Sequence, residues 1–233
     1  MPDTLKEALI LFTRLPLPGR TKTRLMPWLT PEQCAALHCA MLRDISETLR
    51  RVGGDVFIFY TPDGDFAEAG LLRICGDAVY LPQKGADLGE RMDQATREVL
   101  GRGYASCLLL GSDIPSVTEE SLGIVSDMLL THDAVLAPTE DGGYWMVGLK
   151  QPCSLIFTHR YYGSAGAFEA ARRGCVQANL RLAVGPKLRD IDEIADIHYY
   201  AAHPGMEMPH SQSLINMLAA ALSPAFADSL RRL

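Results

Sequence analysis

A cluster of basic residues follows the first apolar segment of the chain. Within eleven positions lie Arg14, Arg20, Lys22 and Arg24, and Gly19 falls among them. A guanidinium group can bind two phosphate oxygens, a lysine ammonium supplies a point charge, and glycine lets the backbone approach a ligand closely. The loop matches neither the Walker loop nor GxGxxG, so it indicates phosphate binding of another kind. A solvated basic loop is the alternative explanation.

Aspartates at two places have the chemistry of metal ligands. Asp113 follows the apolar residues 107–110 and precedes an Ile-Pro turn, and Asp190 and Asp192 are one residue apart in a polar segment. Carboxylate oxygens are the ligands that Mg²⁺ and Mn²⁺ prefer. We therefore predict Asp113 as a metal ligand, with Asp192 as a second. The alternatives are helix caps at Asp113 and Asp192, with Asp190 paired to Arg189.

A third segment places an aspartate before two glycines and an aromatic residue. Asp141 could orient a substrate hydroxyl or take its proton, and Gly142 and Gly143 remove side chains where a ligand could lie. Tyr144 or Trp145 could pack on a ring. Asp-Gly is also a standard signal for a turn between two strands. From this segment alone, the turn is the better explanation.

Apolar runs alternate with helix-like segments along the chain. A short continuous run such as residues 8–12 is typical of a strand that is buried on both faces. Strands are predicted over 8–12, 55–60, 78–81, 107–110, 134–137, 144–149 and 180–184, and helices over 30–51, 88–100, 116–130, 165–173, 194–201 and 213–222. This pattern predicts an α/β fold, with a mostly parallel central sheet and helices on both faces. In such sheets ligands bind at the carboxyl ends of the strands, where the three segments above would meet.

Composition restricts the classes of protein further. A chain of 233 residues with 48% hydrophobic content suits one domain, which we predict over 1–233, with 203–233 as a C-terminal helical appendage. The net charge of -6 argues against a nucleic-acid binder. The sequence has no secretory pattern and no apolar run of about 20 residues, so we expect no membrane span. Six cysteines without a CxxC pair are typical of reduced thiols and predict a cytoplasmic protein.

The segments described above and one further segment, residues 85–92, follow one another along the chain in a characteristic order. They are Pro18-Gly19-Arg20-Thr21-Lys22-Thr23-Arg24-Leu25, Gly85-Ala86-Asp87-Leu88-Gly89-Glu90-Arg91-Met92, Gly111-Ser112-Asp113-Ile114-Pro115, Asp141-Gly142-Gly143-Tyr144 and Asp190-Ile191-Asp192. Over about residues 8–200 this order resembles a bacterial family of GT-A-type glycosyltransferase-like proteins, usually described as nucleotide-diphospho-sugar transferases. The resemblance departs from the family at 157–164, where a Trp-Ser-containing stretch is usual, and at Glu193-Ile194, where Thr-Pro is common.

This resemblance implies a GT-A, Rossmann-like nucleotide-diphospho-sugar transferase fold. The first loop would hold the nucleotide phosphates, and Asp113 would stand at the family's metal-binding acidic motif. We accordingly expect Arg20, Lys22 and Arg24 to neutralise the diphosphate, with Mg²⁺ or Mn²⁺ at Asp113 and Asp141 near the acceptor hydroxyl. The partner would be a nucleotide or nucleotide sugar, while the acceptor and the oligomeric state stay open.

Three functions are compatible with these residues. The first is metal-dependent transfer from a nucleotide-diphospho-sugar donor to an acceptor. The same first loop and Gly-Ser-Asp-x-Pro also resemble guanylyltransferases that activate phospholactate-like acids, so the alternative is a nucleotidyltransferase that couples a nucleoside triphosphate to a phosphorylated small molecule. The second alternative is a nucleotide-binding protein without catalysis, because a fold alone does not prove turnover.

Overall fold

A seven-stranded sheet forms the centre of the molecule. The computed structural model describes residues 6–62, 64, 66–157, 166–204 and 207–230, without the side chains of 223–230. The strands are β1 (Glu7–Thr13), β2 (Asp55–Tyr60), β3 (Val79–Pro82), β4 (Ser106–Gly111), β5 (Ala134–Pro138), β6 (Tyr144–Leu149) and β7 (Leu182–Val184). Their order across the sheet is β3-β2-β1-β4-β6-β5-β7. Among the described strands only β6 runs antiparallel to its neighbours, so the predicted α/β fold with a mostly parallel sheet is confirmed.

Helices cover both faces of this sheet. They are α1 (Pro31–Val52), α2 (Ala67–Cys75), α3 (Leu88–Leu100), α4 (Glu119–Thr131), α5 (Ala167–Gln177), α6 (Ile194–Ala202) and α7 (Pro209–Leu230). The sequence did not predict α2, whose nine residues include Gly70 and whose N-cap residue, Phe66, makes no side-chain capping bond. Because neither cap nor long apolar stripe marks it, its helical state depends on packing against the sheet and α1.

The two sheet faces explain why the first strand is continuously apolar. Leu9 and Leu11 pack with α1, α2 and α4 on one face, while Ile10 and Phe12 pack with α3 and α5 on the other. All four side chains are buried. Since β1 lies between β2 and β4, it has no solvent-facing side and needs no polar alternation. Its carboxyl end is therefore fixed at the middle of the sheet edge.

A third apolar cluster joins the C-terminal helix to the first helix. Leu37 and Met41 of α1 pack with Met208, Ile215 and Leu218, and all five are buried. The predicted appendage over 203–233 includes α7, and its described part thus shares a core with α1 and α6. Among the described helices none is both long and apolar enough to cross a bilayer.

Asp44 of α1 caps the start of α7, and its removal is expected to destabilise the protein. The buried carboxylate accepts the N–H groups of His210 at 3.0 Å and of Ser211 at 2.7 Å. Asp44→Ala leaves these two donors without their acceptor, and we expect a loss of about 2 kcal/mol in the free energy of unfolding. Urea titration measures it. The control is Asp127→Ala at an exposed site of α4, and equal midpoints for the two variants would contradict the capping role.

Candidate functional site

A cleft of about 600 Å³ opens at the carboxyl-terminal edge of the sheet. The loop after β1, the end of β4 and the segment after β7 meet there, because the carboxyl ends of parallel strands share one edge. The turn between β5 and β6 reaches the same edge, since β6 is antiparallel and begins where β5 ends. This reversal is what brings Tyr144, at the start of a strand, into the cleft.

Most of the residues that the sequence singled out line this cleft. Those that do are Arg14, Arg20, Lys22, Arg24, Asp113, Asp141, Gly143, Tyr144 and Asp192. Gly19 and Gly142 are not among the lining residues, although both were expected to approach a ligand. They adopt φ values of 79° and 89° at turns, a conformation that is costly for residues with a Cβ. Their visible role is therefore to shape the turns beside the cleft.

Lys22 and Asp113 form an ion pair at the base of the cleft. The Lys22 side chain is 2% exposed, and its ammonium donates to Asp113 Oδ1 and, at 2.5 Å, to the carbonyl oxygen of Ile191. The Ile191 N–H in turn donates to the Asp113 carbonyl at 2.9 Å. Lys22 has a φ of 50°, which a side chain rarely adopts without compensating contacts. One lysine thus ties the first loop to the segments after β4 and β7.

The charge of Asp113 is set by two opposing influences. Burial disfavours ionisation, but the Lys22 ammonium, aided by His38 and Arg14, outweighs it and lowers the pKa of Asp113. The carboxylate nevertheless stays accessible from the open cleft, with 54% of its side chain exposed. Asp113 is therefore an ionised carboxylate that a bound group can reach.

A second ion pair joins the first loop to the segment after β7. Arg24 Nη1 lies 2.7 Å from Asp192 Oδ2, and both side chains are partly exposed. Each of the two predicted metal ligands is therefore paired with a residue predicted to bind phosphate. The capping alternatives are wrong, because the N-cap of α4 is Thr118 and that of α6 is Glu193.

The donors in the cleft fit one kind of divalent metal site. The described residues contain no group of three or more His, Cys, Asp or Glu side chains placed to hold an ion. Asp113 and Asp192 supply two carboxylates in one cleft. Mg²⁺ is commonly bound by one or two carboxylates together with substrate phosphates and water, and seldom by a cage made of protein alone. The site fits a metal that arrives with a phosphorylated ligand.

Asp141 and Gly143 form the tight turn between β5 and β6. Asp141 Oδ1 accepts from Thr139 Oγ1 at 2.5 Å and from the Gly143 N–H at 3.0 Å. A Cβ at Gly143 would lie 2.8 Å from Thr139 Oγ1 and 3.1 Å from Asp141 Oδ1, so a larger residue would require these side chains to shift. The turn explanation of this segment is confirmed, and the glycine is explained by it. The Asp141 side chain still lines the cleft.

Asp190 lines the cleft at the edge of the sheet where its segment was expected. The alternative that paired it with Arg189 is wrong, because Arg189 pairs with Glu140 and Asp196. Burial, and then the neighbouring Asp141 carboxylate, raise the pKa of Asp190 to about 6. Two carboxyl groups thus face the β5–β6 side of the cleft, a proximity that no local sequence signal indicates.

The opposite side of the cleft also carries residues that the sequence analysis missed. Gln83 Nε2 donates to the carbonyl oxygens of Thr13 and Phe59 at 3.0 Å each, which joins the ends of β1, β2 and β3. Arg91 of α3 is half-buried, and its Nε donates to the Gly85 carbonyl at 3.1 Å. No carboxylate in the described part of the chain pairs with the Arg91 guanidinium. The Gly85–Met92 segment signalled a resemblance, but only the fold shows that Arg91 lines the cleft.

The chain matches the model of a known protein family. Residues 44–164 match the model of a family described as "Uncharacterized protein conserved in bacteria (DUF2064)", which is just over half of the 233 residues. The chain belongs to this family. The matched range includes β2 to β6 and contains Asp113 and Asp141.

Curated relatives of the chain are guanylyltransferases. A 2-phospho-L-lactate guanylyltransferase of Methanobrevibacter ruminantium is 27% identical over 132 residues, which is 54% of this chain and 56% of that protein. The chain thus matches only about half the length of this relative. A phosphoenolpyruvate guanylyltransferase of Chloroflexus aggregans is 25% identical over 186 residues, which covers 78% of this chain and 91% of the relative.

A solved structure extends the similarity over nearly the whole fold. A crystal structure from Desulfovibrio desulfuricans G20, described as a "putative nucleotide-diphospho-sugar transferase", superposes with a TM-score of 0.84 at 26% identity. It covers 93% of this chain and 96% of that one. The expected similarity to such transferases and to guanylyltransferases is therefore confirmed. Residues 158–164, within the stretch where the sequence departs from the resembled family, lie outside the described residues.

Proposed function

We propose that this protein is a metal-dependent nucleotidyltransferase that couples a nucleoside triphosphate to a phosphorylated small acid. The observation that carries the proposal is the match to phosphoenolpyruvate guanylyltransferase along 78% of the chain and 91% of the relative. A match of that extent includes most of the strands that build the cleft. The proposed acceptor class is a carboxylic acid with a phosphate group, and guanosine triphosphate is the first donor to test.

The reaction needs phosphate binding more than proton transfer. An acceptor phosphate oxygen attacks the α-phosphorus of the triphosphate, a new P–O–P bond forms, and the bond to the β-phosphate breaks to release pyrophosphate. Arg14, Arg20 and Arg91 offer guanidinium groups along the cleft for the negative charge. A divalent ion at Asp113 and Asp192 would supply further positive charge when bound.

Asp141 has a different role in this reaction from that in glycosyl transfer. A phosphate monoester has a second pKa of about 6, so its oxygens are already ionised at neutral pH and need no general base. A sugar acceptor would be a neutral hydroxyl and would benefit from a base. In the proposed reaction Asp141 takes no proton from the acceptor, and its carboxylate can instead accept from a ribose hydroxyl group of the nucleotide. The role of Asp141 thus separates the two chemistries.

Glycosyl transfer stays a second candidate because the Desulfovibrio structure bears a sugar-transferase description. One assay separates the candidates. The purified protein is incubated with Mg²⁺ in two kinds of reaction. The first contains GTP and one acceptor, which is phosphoenolpyruvate or 2-phospho-L-lactate. The second contains GDP-mannose alone. Pyrophosphate together with a new diphosphate resonance in the ³¹P spectrum supports the proposal. Release of GDP from the sugar nucleotide without pyrophosphate would favour glycosyl transfer, and binding without any product would favour a catalytically silent protein.

Arg91 provides a direct test of phosphate binding on the α3 side of the cleft. We expect Arg91→Gln to weaken GTP binding about ten- to a hundredfold. Glutamine keeps a neutral polar group at this position, but the charge-assisted contact with phosphate is lost. Isothermal titration with Mg²⁺ measures it. Arg97→Gln on the same helix is the matched control, since Arg97 pairs with Asp93 four residues earlier and is absent from the cleft lining. Equal affinities of both variants would exclude Arg91 from the binding site.

A further inference from the structure

His38 of α1 connects two loops at the base of the cleft. Its side chain lines the cleft although the residue is only 2% exposed. Nδ1 lies 2.6 Å from Thr21 Oγ1, and Nε2 lies 3.1 Å from Ser112 Oγ. Thr13 Oγ1 lies farther from Nε2, at 3.5 Å. One imidazole therefore contacts the end of β1, the first loop and the end of β4.

The two close partners of His38 precede the two members of the buried ion pair. Thr21 is followed by Lys22 and Ser112 by Asp113, and Lys22 donates to Asp113. We propose that His38 is a positioning residue that holds Lys22 and Asp113 together by bonding the hydroxyl group in front of each. The proposal rests on the proposed function only for its effect on nucleotide binding. Its effect on Lys22 itself needs no ligand.

The chemistry of a neutral imidazole suits this position. It offers one donor and one acceptor in fixed directions, and a hydroxyl group can serve as partner to either. Burial, followed by the nearby Lys22 ammonium, lowers the pKa of His38 to about 4, so the ring is neutral at physiological pH. An apolar side chain would fill the space but leave two buried hydroxyl groups without this partner.

The contacts of the His38 ring with Thr21 and Ser112 are called the His38 clamp below. The position of Lys22 shows why this clamp is needed. Lys22 is buried and adopts a left-handed backbone conformation, which is unfavourable for a residue with a Cβ unless contacts compensate. The Thr21–His38 bond is the buried side-chain contact nearest in sequence to Lys22. Its loss should release the ammonium from Asp113 and from the Ile191 carbonyl.

Lysine acylation tests the clamp without any ligand. The full chain, as wild type, His38→Leu and His38→Gln, is treated briefly with acetic anhydride, and peptide mass spectrometry gives the modification rate at each lysine. Lys6, with 78% of its side chain exposed, is the internal reference. We expect the Lys22 rate to rise about tenfold or more in His38→Leu, because local opening governs the reactivity of a buried group. His38→Gln retains a donor and an acceptor and should restore much of the protection.

A matched variant separates the clamp from general loosening of α1. Ile45→Ala removes a fully buried side chain of the same helix that packs on the sheet, in a different apolar cluster from Leu25 of the first loop. If Ile45→Ala exposes Lys22 as much as His38→Leu does, the clamp is wrong. An unchanged Lys22 rate in a folded His38→Leu protein would overturn it as well. If His38→Leu does not fold, the comparison of His38→Gln with Ile45→Ala decides, since a clamp requires intermediate protection in the former.

Nucleotide binding supplies a second test of the His38 clamp. We expect His38→Leu to weaken binding of GTP with Mg²⁺ about tenfold, and to add little when Lys22→Met is already present. Additive losses would contradict action through Lys22. If wild-type protein binds no GTP while Lys22 loses protection in His38→Leu, the proposed function fails and the clamp stands. If GTP binds and Lys22 stays protected in His38→Leu, the clamp alone fails.

Discussion

Asp113→Asn is expected to lower nucleotidyl transfer about a thousandfold while the protein stays folded. The asparagine keeps the size of the side chain and can still accept a hydrogen bond from Lys22, but it carries no charge for a metal ion. Loss of one electrostatic group that acts at the reacting phosphates typically costs about 10²–10³ in rate, and loss of the metal adds to it. Steady-state release of pyrophosphate with GTP and acceptor measures the effect.

The stability of this variant gives an internal check. The Lys22 ammonium, almost fully buried, loses its counter-charge but keeps the Ile191 carbonyl as an acceptor. Because Asp113 itself is half-exposed, we expect a loss of only about 1 kcal/mol in the free energy of unfolding. A thousandfold loss of activity with so small a loss of stability would point to the reaction and not to the fold.

Asp192→Asn is the matched comparison for Asp113→Asn. Asp192 pairs with the partly exposed Arg24, whereas Asp113 pairs with the buried Lys22 ammonium. We expect a smaller loss of activity, about tenfold, if Asp192 is the second metal ligand. Metal dependence that persists unchanged in Asp113→Asn, with GTP binding still enhanced by Mg²⁺, would disprove the assignment of Asp113.

Local sequence rules were sufficient for most of the elements. The prediction of α1 from Thr30 rested on a capping residue followed by Pro31, and the structure has this cap with Gln33 bonded back to Thr30. The bounds of α3 and β6 also agree with the sequence patterns. These signals act within one or two turns of chain. They need no knowledge of what packs against them.

Long-range pairing was beyond such rules. Lys22 and Asp113 are 91 residues apart, and Arg24 and Asp192 are 168 apart. Each residue type was recognised as chemically useful, but nothing in the sequence indicates that the cations and carboxylates neutralise each other. The sequence analysis recognised the Asp-Gly turn between two strands. It did not conclude from this turn that β6 runs antiparallel to β5. Topology, and not local propensity, decides which functional groups meet.

His38 makes a separate prediction about stability at acidic pH. Burial is the main reason that its pKa falls from an ordinary 6.5 to about 4, and the charges of Lys22 and Arg14 lower it further while Asp113 opposes them. The unfolded chain therefore binds a proton at this residue between pH 6.5 and 4, whereas the folded chain does not. By linkage, the free energy of unfolding falls as the pH drops through this window.

The size of this effect makes it measurable against the other titrating groups. A difference of about 2.5 units corresponds to roughly 3 kcal/mol, fully lost once the pH falls below about 4. Urea unfolding at pH 7.5 and at pH 4.5 should thus show a loss in wild type that exceeds the loss in His38→Gln by about 2 kcal/mol, since glutamine binds no proton in either state. His132→Gln, at a half-buried position after α4 that is absent from the cleft lining, should keep the wild-type loss. If His38→Gln loses as much stability between the two pH values as wild type does, then the imidazole takes up its proton equally well in the folded chain, and a neutral ring cannot be what holds Thr21 and Ser112.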